Sequence, residues 1–170
     1  METASQKAQR EFLSPSQRFG EIIAMFAMFL FFSFFIYHQV ASTGFFTSAF
    51  GPWEMFFFYG PMLLALTPPL IRAITGRRQP ARPPEALTNA FLAVGAIWLL
   101  MIFPFDFAHL ADALPAGLRF ALAWVNNDIG RIFLVLQLIV CPVVALVVMW
   151  QYIAHRMREA GAPPRSPATT

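Results

Sequence analysis

The sequence predicts an all-α, polytopic membrane protein: an up-down bundle of four transmembrane helices with a partly helical interfacial outer loop. Three observations carry this reading. Of 170 residues, 58% are hydrophobic and only 12% are charged, against about 25% charged in an ordinary soluble domain. The apolar residues, 20 Phe among them, stand in long blocks of membrane-crossing length. The basic residues cluster at block ends, and all the clusters share one side only if the chain crosses four times.

The elements follow in order. Residues 1–14 read as a polar cytoplasmic tail. Ser14-Pro15-Ser16-Gln17 is a helix start: Ser14 caps, Pro15 suits the first turn, and Gln17 completes a capping box. The first helix is expected over 15–41. Its apolar run exceeds the roughly 7–15 residues of a signal-peptide core, so it is expected to be retained. Gly51-Pro52-Trp53-Glu54 opens a second helix over 52–74. There Gly60-Pro61 predicts a kink, and Pro68-Pro69 a distortion of the last turns.

Residues 75–84 hold Arg77, Arg78, Arg82 and the three prolines Pro80, Pro83 and Pro84, which predicts a stiff, extended, hydrated cytoplasmic linker. A third helix is expected over 85–103, ended by Pro104. Residues 105–127 form the longest connection. Their apolar anchors, from Phe105 and Leu110 to Phe120 and Trp124, predict a segment lying in the interface plane. The fourth helix is expected over 128–157, kinked at Pro142, and 158–170 as a disordered cytoplasmic tail.

Orientation follows from charge. Lys7, Arg10 and Arg18, then Arg72, Arg77, Arg78 and Arg82, then Arg156, Arg158 and Arg165 all lie on one side of a four-span chain. That side is cytoplasmic by the positive-inside rule. The expectation is a multi-pass protein of the plasma (inner) membrane with both termini cytoplasmic. The net charge of +3 serves topology, and no nucleic-acid partner is expected. Cys141 is the only cysteine, so one chain can form no internal disulfide. Among Val140, Pro142 and Val143 it reads as a buried thiol.

Ion and proton paths need ionisable or strongly polar groups at membrane depth. Between the helix ends stand Ser33, Tyr59, Thr67 and Gln137, with no charge at the centre. Gln137 reads as an interhelical hydrogen bond, with a substrate contact as the alternative. Ala86, Ala90 and Ala93 offer a small-residue packing face on the third helix.

The candidate chemistry gathers at the outer side. Asp106, His109 and Asp112 are spaced by three, so one helical side would bring them together for a divalent metal or a proton. The competing and preferred reading is a cap, a wet histidine and a turn residue. His38 is a candidate axial ligand to a haem or pigment, against a satisfied interfacial histidine. Glu54 complements the dipole of the second helix, or makes a polar contact. No glycine-rich phosphate loop, His-Glu-x-x-His or Gly-x-Ser-x-Gly elbow occurs.

The function expected is non-enzymatic: an accessory or structural subunit of a larger membrane assembly. Its partners would be the lipid bilayer and a membrane protein, or a second copy. The alternative is a transporter or binding protein for a hydrophobic molecule such as a lipid, quinone or pigment. Further behind stands a membrane enzyme or metal protein built on the Asp/His group. No cofactor is specified.

Overall fold

The computed structural model describes residues 11–161. The expected tails at 1–14 and 158–170 fall largely outside that range. Among the described residues the chain is helical, with two isolated bridges and no strand. Four segments are long and apolar enough to cross a membrane.

The first, α1, spans Pro15–Val40. Its start is the capping box: Ser14 Oγ accepts from the Gln17 amide at 3.3 Å, and Gln17 Oε1 accepts from the Ser14 amide at 3.1 Å. The second segment is two helices, α2 (Pro52–Leu64) and α3 (Thr67–Thr75). Pro61 sits inside α2 without ending it. The break comes at Ala65-Leu66, just upstream of Pro68 and Pro69. Neither proline has an N–H to return to the carbonyls of residues 64 and 65, so the ladder fails there.

The third, α4, spans Arg82–Ile102 after a 3-10 turn at Gln79–Ala81. It starts three residues earlier than expected, because Pro83 and Pro84 fit a first turn whose N–H groups have no helical acceptor. The basic linker is therefore compact, not extended. The fourth, α5, spans Asn127–Ala160, 34 residues, and carries Pro142 inside it. It runs through Arg158, which was expected in the tail. Asn126 Oδ1 caps it by accepting from the Ile129 amide at 3.0 Å.

Packing follows chain order. α1 lies chiefly on α3, α2 on α4, and α4 along α5. α4 is therefore covered on two flanks. Phe91, Gly95 and Trp98 meet α2, while Ala86, Ala93 and Ala96 are buried on the other side. Ala90, expected on the small-residue face, is exposed; it points between the two flanks. Gly95 lies against the Phe57 carbonyl. Pro61 has no N–H to give that oxygen, and an added Cβ on Gly95 would stand 2.8 Å from it.

Two ends result. At one, the 41–51 connection pairs with the chain after α4. The Thr47 amide donates to the Pro104 carbonyl at 3.0 Å, and the Asp106 amide to the Phe45 carbonyl at 2.7 Å. Phe35, Phe45, Phe105, Leu110 and Val125 form a buried core there, joined by Phe46 stacked on Phe50 with ring centroids 4.0 Å apart. Phe105 and Leu110 are thus core residues, contrary to the expectation that they anchor an interfacial segment. Leu118, Phe120 and Trp124 remain exposed.

At the other end, residues 11–13 dock on the linker. The Leu13 amide donates to the Gly76 carbonyl at 2.8 Å and the Arg78 amide to the Glu11 carbonyl at 3.1 Å. Leu13 is buried. This part of the expected tail is ordered because Leu13 has an apolar seat and the backbone has partners. Gln79 Nε2 and Arg82 Nη1 donate to the Tyr152 and Gln151 carbonyls of α5, tying the linker to the fourth span.

Candidate functional site

The aromatic end carries most of the residues that the sequence singles out. His38, in the last turn of α1, is 1% exposed. Its Nε2–H donates to the Leu110 carbonyl at 3.2 Å. A carbonyl only accepts, so the neutral ring carries its proton there, and Nδ1 accepts from the Thr43 hydroxyl. Phe34 and Phe45 pack against the ring at 4.7 and 5.0 Å between centroids. Both nitrogens are engaged within the chain, which leaves neither for a haem or pigment. His38 works as a staple between α1, the following turn and the 107–113 turn.

His109 and Asp112 are brought together. His109 Nδ1–H donates to Asp112 Oδ2 at 2.8 Å, and Arg119 Nη1 lies 3.8 Å from the other oxygen. The His109 hydrogen bond holds the Asp112 carboxyl below its usual range, opposed by partial burial and helped by the Arg119 guanidinium. The His109 ring lies over Gly44, whose φ of +97° suits glycine; an added Cβ would stand 2.9 Å from the ring. Asp106 is not part of this pair. Its Oδ1 accepts from the Ala108 amide at 3.1 Å and caps the 107–113 turn. The 107–113 turn is a 3-10 helix, which aligns residues three apart and so brings His109 to Asp112; Asp106 stands before it in extended backbone and does not share that face. Among the described residues, no three His, Cys, Asp or Glu side chains gather as a metal site.

Glu54 is buried at the start of α2. Oε2 accepts from the Gly51 amide and Oε1 from Trp98 Nε1 of α4, both at 2.9 Å. It is thus both a cap and an interhelical tie. Gln137 Nε2 of α5 donates to the Leu92 carbonyl of α4 at 2.9 Å, the interhelical bond that its depth suggested. Cys141 is buried with a free thiol.

Sequence reasoning passed over a cluster at the opposite end. Arg72 of α3 donates from Nε to Glu21 of α1 at 2.8 Å and from Nη1 to Glu85 of α4 at 3.0 Å. Arg18 donates to the Ala73 and Ile74 carbonyls that end α3. The signal was present. Glu21 lies nearly two turns into α1 and just inside the first apolar block, and a carboxylate there is stabilised by a cation from a neighbouring helix.

The chemistry available is hydrogen bonding and ion pairing between helices. In comparisons with protein-family models, curated proteins and solved structures, nothing matches this chain.

Proposed function

We propose that the chain is a non-enzymatic integral membrane protein, an up-down bundle in the plasma (inner) membrane with both termini cytoplasmic. Its role in this reading is that of an accessory or structural subunit of a larger membrane assembly. One observation carries the proposal: the polar side chains of the spans serve internal contacts while whole apolar helix faces stay open. His38, Glu54, Tyr59 and Gln137 are each bonded to another part of the chain. On α1, Phe19, Phe26 and Phe29 are more than half exposed, as are Phe133, Ile139 and Leu146 on α5. Part of that surface suits lipid, and part suits the helices of a partner.

The length of α5 supports the same reading. Its 34 residues extend about 51 Å, against a hydrocarbon core of about 30 Å. The excess is available for contact outside the bilayer.

The test is purification in mild detergent from membranes at native expression level, after an alkaline carbonate wash. The expected result is retention in the washed membrane and co-elution with a partner protein or a second copy. Release by carbonate would defeat the membrane reading. A washed-in but solitary, monodisperse protomer would defeat the subunit reading.

A further inference from the structure

The four arginines of residues 72–82, opposite the aromatic end, divide into two sets. Arg72 and Arg82 are half-buried and face carboxylates, Glu21 and Glu85 for the first and Glu11 for the second. Arg77 and Arg78 are exposed, with no carboxylate partner among the described residues. Their backbone is held on both sides. The Arg78 amide is bonded to the Glu11 carbonyl, the Leu13 amide to the Gly76 carbonyl, and the Arg77 amide to the Thr75 hydroxyl at 3.2 Å. The Arg77 guanidinium lies 5.2 Å from the centroid of the Phe12 ring. Two cations are therefore presented on a stapled turn, one of them braced by an aromatic face.

The surroundings say what such a pair would meet. Phe12 and Ile74 are 54% and 69% exposed, so the arginines adjoin large open apolar side chains. Ile74 lies at the end of the second apolar span. A surface with cations outward and apolar side chains beside them, at the end of a membrane-crossing segment, fits the boundary of acyl chains and headgroups.

We propose that Arg77 and Arg78, flanked by Phe12 and Ile74, form a docking surface for anionic phospholipid headgroups. Guanidinium forks pair with phosphate oxygens bidentately, and the flanking side chains lie against the glycerol and upper acyl region. The pre-ordered turn lowers the entropic cost of holding two long side chains on one lipid. An acidic protein segment would match the charge but would leave Phe12 and Ile74 unused. The proposal rests on the membrane reading above.

The test uses full-length protein in phosphatidylcholine vesicles carrying spin-labelled phosphatidylglycerol or spin-labelled phosphatidylcholine. The readout is the relative association of the two lipids with the protein. Wild-type protein is expected to prefer phosphatidylglycerol, and Arg77→Gln/Arg78→Gln to lower that preference about twofold or more. Arg77→Lys/Arg78→Lys should keep most of it, and Arg131→Gln, at the aromatic end, all of it. An unchanged preference in the Gln double variant overturns the proposal. So does loss of a co-purifying acidic protein with lipid preference intact, which would reassign the surface to that partner. Protein that reconstitutes without any preference defeats this inference alone. Protein that fails to reconstitute defeats the membrane reading and this inference with it.

Discussion

The His38 imidazole and the Leu110 carbonyl stand 72 residues apart in the chain and meet at 3.2 Å, both residues buried. This contact fastens the longest connection onto the first span. His38→Leu keeps the apolar volume but leaves the Leu110 carbonyl and the Thr43 hydroxyl without their partner. The expected cost is about 1–3 kcal/mol, read as a lower unfolding midpoint in mixed micelles. His38→Gln, which can donate and accept, should recover part of it. Equal stability of wild-type and Leu variants would show that the contact has no structural weight.

Arg72 makes a comparable tie between three helices. Arg72→Met leaves the Glu21 and Glu85 carboxylates without their cation in half-buried surroundings. A loss of about 1–3 kcal/mol is expected, below the range for fully buried pairs because both carboxylates retain some solvent. Replacing all three as Glu21→Gln/Arg72→Met/Glu85→Gln should restore much of the loss. A triple variant no better than Arg72→Met would mean that the arginine acts through packing and not through charge.

Asp112 gives the 107–113 turn a pH dependence with a definite sign. Its folded carboxyl lies below the ordinary aspartate value of 3.8, chiefly through the His109 hydrogen bond. A depressed acid contributes its stability above the unfolded value and loses it as pH falls through the folded one. The contact is therefore intact at neutral pH and weakens only in acid, below the ordinary aspartate range. Amide exchange of residues 107–113 should rise there, and Asp112→Asn should remove that rise. A transition near neutral pH that survives in Asp112→Asn would assign the dependence to another group.

Much of this architecture can be read from particular residues. Blocks such as 19–41 are long and apolar, so four helices able to cross a membrane follow from composition and length. Ser14 and Gln17 announce a capping box because both partners lie within one helical turn. Gln137 is legible because a lone amide at depth has few options other than a neighbouring backbone. What depends on which helices become neighbours is not written locally. Nothing near Glu54 names Trp98, and nothing near Glu21 names Arg72. The spacing of three aligns Asp106, His109 and Asp112 only if all three lie inside one helix. Asp106 instead precedes the 3-10 turn in extended backbone, where its carboxylate caps the Ala108 amide. The break at Ala65-Leu66 was displaced from Pro68-Pro69 because missing N–H groups act on carbonyls a turn earlier.

Gly95 supplies the sharpest steric test. It lies where α4 meets α2, and an added Cβ would stand 2.8 Å from the Phe57 carbonyl oxygen. That atom belongs to helix backbone and cannot swing aside as a side chain would. Gly95→Ala must therefore push the two helices apart or twist α2 near Pro61, at an expected cost of about 1–3 kcal/mol. The displacement would also lengthen the nearby Trp98 to Glu54 hydrogen bond, now 2.9 Å. Trp98 fluorescence, isolated by replacing the other three tryptophans with phenylalanine, should shift in the variant. Gly117→Ala is the control, since nothing lies within 4 Å of its added Cβ. If Gly95→Ala leaves both the unfolding midpoint and the Trp98 signal unchanged, α2 and α4 are not in contact at this point. The two-sided burial of α4 would then have to be redrawn.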